Sequence, residues 1–504
     1  MQPVAFARWA WRQLTSMRTA LVLLFLLALA AVPGSLVPQR SIDAARAAQF
    51  AEQHPTLAPW YDRFGLFAVY SSPWFAATYL LLFVSLVGCV LPRSRHHLTA
   101  VLSQPPRAPR NLHRLPQHAS VVSDRTPEEV LAEARAALRS RRFRVQVVDG
   151  AVCAEKGYLR ESGNLVFHLA LLLLLVAVGF GHLYGYKANV LVVEGEAFSN
   201  TVSTYDTWTP GALTDENSLA PFTVELKNLE VRYQPDGMQR GAPRDFRAAV
   251  RYTTEPGARP RSYDLRVNHP LKVDGVKVFL LGNGYAPVFT VRDRNGRVVS
   301  HGAVPFLPRD GNDTSLGVVK VTGTDPQIGL DGLFLPTAVL DPEQGPISAY
   351  PGLKLPRAVL SVWTGDLGVD DGTPQSVYSL DKRGMTQVTG TKGRNLVLSL
   401  APGATATLPS GETVTLDGVR RWTSLQVARD PGVAPALGAA LLALTGLMLS
   451  LFVRRRRVWV RPGVDEGGRT LVEVAGLART EAEGGEGLAD EVRELAEQIG
   501  APQE

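Results

Sequence analysis

The stretch Ser162-Gly-Asn-Leu-Val-Phe-His168-Leu-Ala-Leu-Leu-Leu-Leu-Leu-Val-Ala-Val-Gly-Phe-Gly-His182-Leu-Tyr-Gly-Tyr186 contains no Asp, Glu, Lys or Arg. A helix needs about 20 apolar residues to cross a hydrocarbon core of roughly 30 Å, and this stretch is long enough. It shows no polar face of the kind a soluble core helix carries. Three other stretches have the same character, at 19–37, 71–91 and 431–453. The first has the basic lead of a signal peptide, but its apolar run continues through Leu36 and Val37. Four spans are therefore expected, and the chain reads as a polytopic α-helical membrane protein.

Flanking basic residues give the orientation. Arg8, Arg12 and Arg18 precede span one, and Arg93 and Arg95 follow span two. Arg141, Arg142 and Arg144 precede span three, and Arg454 to Arg457 follow span four. With alternating spans all four clusters fall on one side, which the rule makes cytoplasmic. Segments 1–18, 92–161 and 454–504 are then inside, 38–70 and 187–430 outside. This is the topology of a multi-pass plasma-membrane protein with both termini in the cytoplasm.

The soluble parts differ in character. In 92–161, Thr126-Pro-Glu-Glu129 is a capping box with Pro at the first helical position, so a helix is expected to about Ser140. Strand-like runs at Ala119–Val122 and Phe143–Val148 flank it, giving a small α/β insert. The segment 187–430 alternates apolar and β-branched runs with Gly, Pro, Asn and Asp breaks. Its expected strands include Phe222–Gln234, Val276–Leu281, Val288–Arg292, Ala358–Trp363, Ser376–Leu380 and Thr413–Val419. That spacing indicates a large antiparallel, sandwich-like β domain. The tail 461–504 is acidic and Gly/Glu-rich; disorder is expected for most of it, with at most a short helix near Leu488–Ile499.

Composition removes several functions. The net charge of +6 over 504 residues, without basic helices interleaved with aromatics, excludes a nucleic-acid partner. The two cysteines, Cys89 and Cys153, form no CxxC and no CxxCH, so the chain is neither a thioredoxin-like enzyme nor a c-type cytochrome. No GxSxG, HExxH or Walker loop occurs, and no catalytic residue is assigned. The eight tryptophans are scattered and build no Trp-rich loop.

One ionisable group lies deep in a span. His168 sits about six residues from the cytoplasmic end of span three, roughly 9 Å along the helix. An imidazole there needs a partner. Spacing alone leaves two readings: an axial haem-iron ligand, or a ring bonded to a carbonyl or Ser of a neighbouring helix. His182, near the other end and on nearly the same face, is a second candidate ligand, although interfacial histidines are common. His96, His97, His113 and His118 are expected at the surface of the basic loop, and His54, His269 and His301 are expected to be structural.

The chain resembles the ResB/CcsB family of cytochrome c biogenesis proteins (system II) over nearly all of Leu14 to Arg461. The resemblance rests on Met17-Arg-Thr-Ala-Leu, Gly34-Ser-Leu-Val-Pro-Gln39, Tyr61 to Phe75, Asn268-His-Pro-Leu271 with Gly275, Val427-Ala-Arg-Asp-Pro-Gly432 and Arg457-Val-Trp-Val460. The most specific segment is Gly157-Tyr-Leu-Arg-Glu-Ser-Gly-Asn-Leu-Val-Phe-His168. The resemblance implies one subunit of a cytochrome c haem lyase complex, non-catalytic or co-catalytic by itself. It implies a Trp-rich membrane partner of CcsA/ResC type, haem b as transported cargo, and apocytochrome c as recipient. It makes His168 an axial ligand and marks Asp430 as an acidic position without an assigned role. The rival reading, from a different class, is a membrane-anchored sensor or scaffold whose outer β domain binds an envelope ligand or protein without haem.

Overall fold

The structure is a computed structural model and describes residues 3–40, 42, 44–343, 345–369, 379–390, 393–465, 467–478 and 481–500. Helix α1 (Pro3–Leu14) leads into α2 (Met17–Leu36). Helices α3 (Ala44–Gln53) and α4 (Ala58–Arg63) fill the loop before α5 (Pro73–Leu102). Then come α6 (Pro127–Ser140), α7 (Leu159–Tyr184), α8 (Val433–Phe452) and α9 (Glu481–Gly500). Four of these, α2, α5, α7 and α8, are long and apolar enough to cross a membrane. The chain divides into two units, one of 1–179 with 433–504 and one of 180–432.

In the first unit, side-chain caps start α2 and α5: the Ser16 and Ser72 hydroxyls accept from Thr19 N (3.2 Å) and Phe75 N (3.4 Å). Span two was expected to end at residue 91, just before Pro92. The helix instead continues through it to Leu102, because a proline can be carried inside a helix at the cost of one backbone bond. Small residues hold the spans together. Ser85 Oγ donates to Leu14 O, and Gly88 leaves room for Thr15. The Tyr79 hydroxyl donates to the Leu175 carbonyl, tying α5 to α7.

The α/β part of this unit corrects the reading of the tail. Its five-stranded sheet runs Gln117–Ser123, Thr470–Ala478, Arg456–Val464, Ala151–Lys156, Arg144–Val148, every pair antiparallel. The strand Thr470–Ala478, the end of Arg456–Val464 and helix α9 thus come from a segment expected to be mostly disordered. The apolar residues there are few but correctly spaced. Val458 and Val460, then Val472 and Val474, alternate along strands, while Leu488, Val492, Leu495 and Ile499 form a helical stripe. With Val130 and Leu138 of α6 they close one core. The Gly/Glu-rich composition concealed that stripe.

In the second unit the strands are antiparallel throughout their ladders. A seven-stranded sheet packs against a four-stranded one around Phe222, Leu226, Leu265 and Val278. Its other half packs against a six-stranded sheet around Phe289, Phe306, Leu330 and Leu360. The result is two sandwiches in tandem that share two 17-residue strands, Val276–Arg292 and Thr413–Arg429. The first of these was expected as two strands, Val276–Leu281 and Val288–Arg292. The strand runs through instead, since Gly284 makes room for the indole of Trp422 on the neighbouring strand. Most of the expected strand Ser376–Leu380 lies outside the described residues.

Candidate functional site

The start of α7 is built by chain geometry before it is built by charge. Gly157 has φ +90°, and a Cβ there would lie 2.8 Å from the Arg455 Cα, so only glycine fits between the two segments. The strand Ala151–Lys156 leads into α7 and the strand Arg456–Val464 leads out of α8. These two strands are direct neighbours, with Lys156 paired to Arg456. The ends of α7 and α8 are thus tied together by a β ladder. In the second unit the strand Tyr186–Val193 follows α7 and pairs with Thr413–Arg429, Tyr186 facing Arg429.

The arginine run after α8 was read only as a topology signal. In the structure it closes a buried ionic network. Glu155, whose side chain is 2% exposed, accepts from Arg455 Nε at 2.6 Å, Arg457 Nε at 2.9 Å and the Tyr158 hydroxyl at 2.6 Å. Arg455 also pairs with Glu161 in the first turn of α7. Burial alone would raise the Glu155 pKa. The hydrogen bonds from Tyr158, Arg455 and Arg457 outweigh it and hold the carboxyl below the usual range. The Tyr158 phenol is pushed up to about 12 by burial and by Glu155. Beside this network Glu491 of α9 binds Lys156 and Arg456, both at 2.7 Å, and is likewise held low against its burial.

His97 joins the same cluster, which corrects its expected place at the surface. Because α5 runs on past Pro92, the ring stands against the start of α7 and is only 11% exposed. Its Nδ1 is 3.4 Å from the Glu161 carboxylate and its Nε2 3.1 Å from Ser162 Oγ. His113, His118, His269 and His301 are exposed, and His54 stacks on Phe50 at 4.4 Å. The charged signals were visible in sequence, but their pairing joins residues some 300 positions apart.

One turn further along, α7 and α8 touch through glycine. A Cβ on Gly163 would meet Gly446 O at 2.7 Å, and a Cβ on Gly446 would meet Phe167 N at 2.6 Å. Such small-residue crossings let helix backbones approach in lipid. His168 directly follows this crossing. Its Nδ1 lies 2.8 Å from the Asn164 carbonyl in its own helix. A carbonyl only accepts, so Nδ1 carries the proton, and in the neutral ring Nε2 keeps its lone pair. The ring is half-buried, with Phe167 edge-on at 5.2 Å. A neutral imidazole nitrogen of this kind is a donor that could ligate haem iron.

His182 is exposed. The Asp430 carboxylate accepts from Gly432 N at 2.9 Å and lies over Gly181, where any side chain would collide with it. His168 and Asp430 have separate partners, and among the described residues no group of three His, Cys, Asp or Glu is placed to hold a metal ion.

A model of the ResB-like family matches residues 17–490. The chain belongs to the ResB-like family. Among curated proteins it is 21% identical over 476 residues to a cytochrome c biogenesis protein CcsB of Prochlorococcus marinus, covering 94% of each chain. It is 26% identical over 469 residues to the protein of the same name from Thermosynechococcus vestitus, covering 91% of this chain and 90% of that one. For a ResB-like chain the four apolar helices and the antiparallel β region are common ground with its sequence reading, and membership supports a role in cytochrome c biogenesis.

Proposed function

We propose that this chain is the subunit that receives haem on the cytoplasmic side of a cytochrome c maturation complex. With a Trp-rich CcsA/ResC-type partner it exports haem and supports its attachment to the CxxCH thiols of apocytochrome c. In that attachment each thiol adds across a haem vinyl group: S–H and one C=C bond are exchanged for S–C and C–H, with no net redox change. The family and the CcsB relatives support the process. The observation that carries the assignment is His168, an imidazole within a span whose Nδ1 faces the Asn164 carbonyl and whose Nε2 has no hydrogen-bond partner among the described residues. On this reading His168 supplies one axial ligand to the cargo and the partner supplies the other. Sidedness follows from the four basic clusters: the α/β part is cytoplasmic and the β region lies outside. His182 and Asp430, at the outer ends of α7 and α8, are secondary candidates on the exit side.

The test is His168→Ala in the complex purified with its partner. Alanine keeps the helix, so the variant is expected at wild-type abundance without the Soret band and without mature cytochrome c. Added imidazole is expected to restore part of both. Wild-type haem content in the variant would overturn the assignment.

A further inference from the structure

The loop between α2 and α5 is a small fold with two faces. Gln39, buried, pins it: its amide donates to Val37 O and Leu66 O, and its carbonyl accepts from Val69 N at 2.9 Å. One face is an aromatic core in which Phe50 packs on Tyr61 at 5.8 Å and on the buried Phe67 at 6.0 Å. The other face is apolar and uncovered. Trp60 is 56% and Phe64 58% exposed, their rings stacked at 6.3 Å, with Leu57 one turn earlier also exposed. Arg63 places its guanidinium 6.0 Å from the Trp60 ring. Gly65, φ +68°, ends α4 and turns the chain back toward α5.

Two contacts fix where this face lies. Trp74, in the first turn of α5, donates from Nε1 to the Phe64 carbonyl at 2.9 Å. The Tyr70 ring packs so closely on Gly34, in the last turn of α2, that a Cβ there would lie 2.8 Å from it. The uncovered aromatics are thus one hydrogen bond from the first turn of one span, and the loop is packed on the last turn of the other. They continue the apolar surface of the spans to the depth at which hydrocarbon gives way to headgroups. Trp and Phe with an adjacent Arg match the chemistry of that layer: rings at the carbonyl level, guanidinium toward phosphate.

We propose that the Leu57, Trp60 and Phe64 face is a lipid-docking surface that lies in the headgroup layer and holds the α2–α5 loop flat on the membrane. The occupant is the phospholipid interface itself, and the surface is continuous with the lipid-facing sides of α2 and α5. The proposal is independent of haem. The experiment uses the full chain alone in nanodiscs of phosphatidylcholine and phosphatidylglycerol, with Cys89→Ser and Cys153→Ala as background. A nitroxide is attached after Trp60→Cys, Phe64→Cys or, as a water-exposed control, Met238→Cys. Collision with oxygen, which concentrates in lipid, is expected to exceed collision with a water-soluble nickel chelate at 60 and 64, and the order is expected to reverse at 238. If 60 and 64 behave like 238, the face is in water and the proposal fails. If both reagents are excluded there, protein covers the face and the proposal fails equally.

Discussion

The α/β unit and the β region reach stability by different means. The β region relies on two apolar cores, and most of its ion pairs sit at the surface, as Arg251 with Glu225 does, with Arg251 about half exposed. The α/β unit has a smaller core and buries charge: Glu155 and Glu491 each carry two basic partners, and the cluster stands where α7 and α8 begin and end. A buried network resists removal of any one member, because the charge left behind is unpaired. A surface pair adds little and loses little. Charge is thus concentrated where the spans are anchored, and apolar packing serves where the chain needs only a rigid body.

The largest expected effect tests the buried network. Glu155→Gln leaves Arg455 and Arg457 without their shared carboxylate and is expected to cost about 3–5 kcal/mol. Hydrogen exchange should accelerate in the strands Ala151–Lys156 and Arg456–Val464 and stay unchanged in the β region. Equal acceleration in both would break the comparison. Next comes Leu265→Ala, which hollows the first β core and is expected to cost about 2–5 kcal/mol. Exchange should then speed in the strands around Phe222 and Leu226 and spare the α/β unit.

Acidification should act with opposite sign on the buried Glu155 and Glu491 and on the buried Asp313. The folded pKa values of Glu155 and Glu491 lie below the ordinary carboxylate range. Their stabilisation is full near neutrality and is lost as pH falls through that range toward their folded values. Asp313 of the β region is the opposite case. Burial raises its pKa against the Tyr233 hydrogen bond, so its contribution is full below the ordinary aspartate value and lost as pH rises through the folded one. Lowering pH from 7 toward 4 should therefore loosen the α/β unit first, as read by rate-corrected hydrogen exchange. Asp313→Asn should flatten the response of the β region alone. The smallest effect is expected of Arg251→Ala, whose denaturation midpoint should match wild type within scatter; a clear shift would show that the surface pairs matter after all.

Much of this was readable in advance, for definite reasons. Spans are legible because hydrocarbon requires long charge-free runs, and α6 because Thr126 and Glu129 form a capping box over three residues. His168 stood out because an ionisable ring in a charge-free run has no bland company. The hidden parts all depend on distance along the chain. Arg455 gives no sign in sequence that its partners are Glu155 and Glu161, and His97 gives none that Glu161 and Ser162 will cover it. The strands Arg456–Val464 and Thr470–Ala478 were missed because they complete a sheet begun over 300 residues earlier.

The ladder that joins the start of α7 to the end of α8 has a mechanical consequence. Sliding one helix past the other by a single residue, about 1.5 Å, would put the pairing of Lys156 with Arg456 out of step. A one-residue slip in a strand pair also turns every side chain to the wrong face. The pair is laced where α7 begins and α8 ends, like a ladder with its last rung nailed. On the proposed function, His168, which follows the α7–α8 crossing, would be a fixed post and not a piston as cargo passes it.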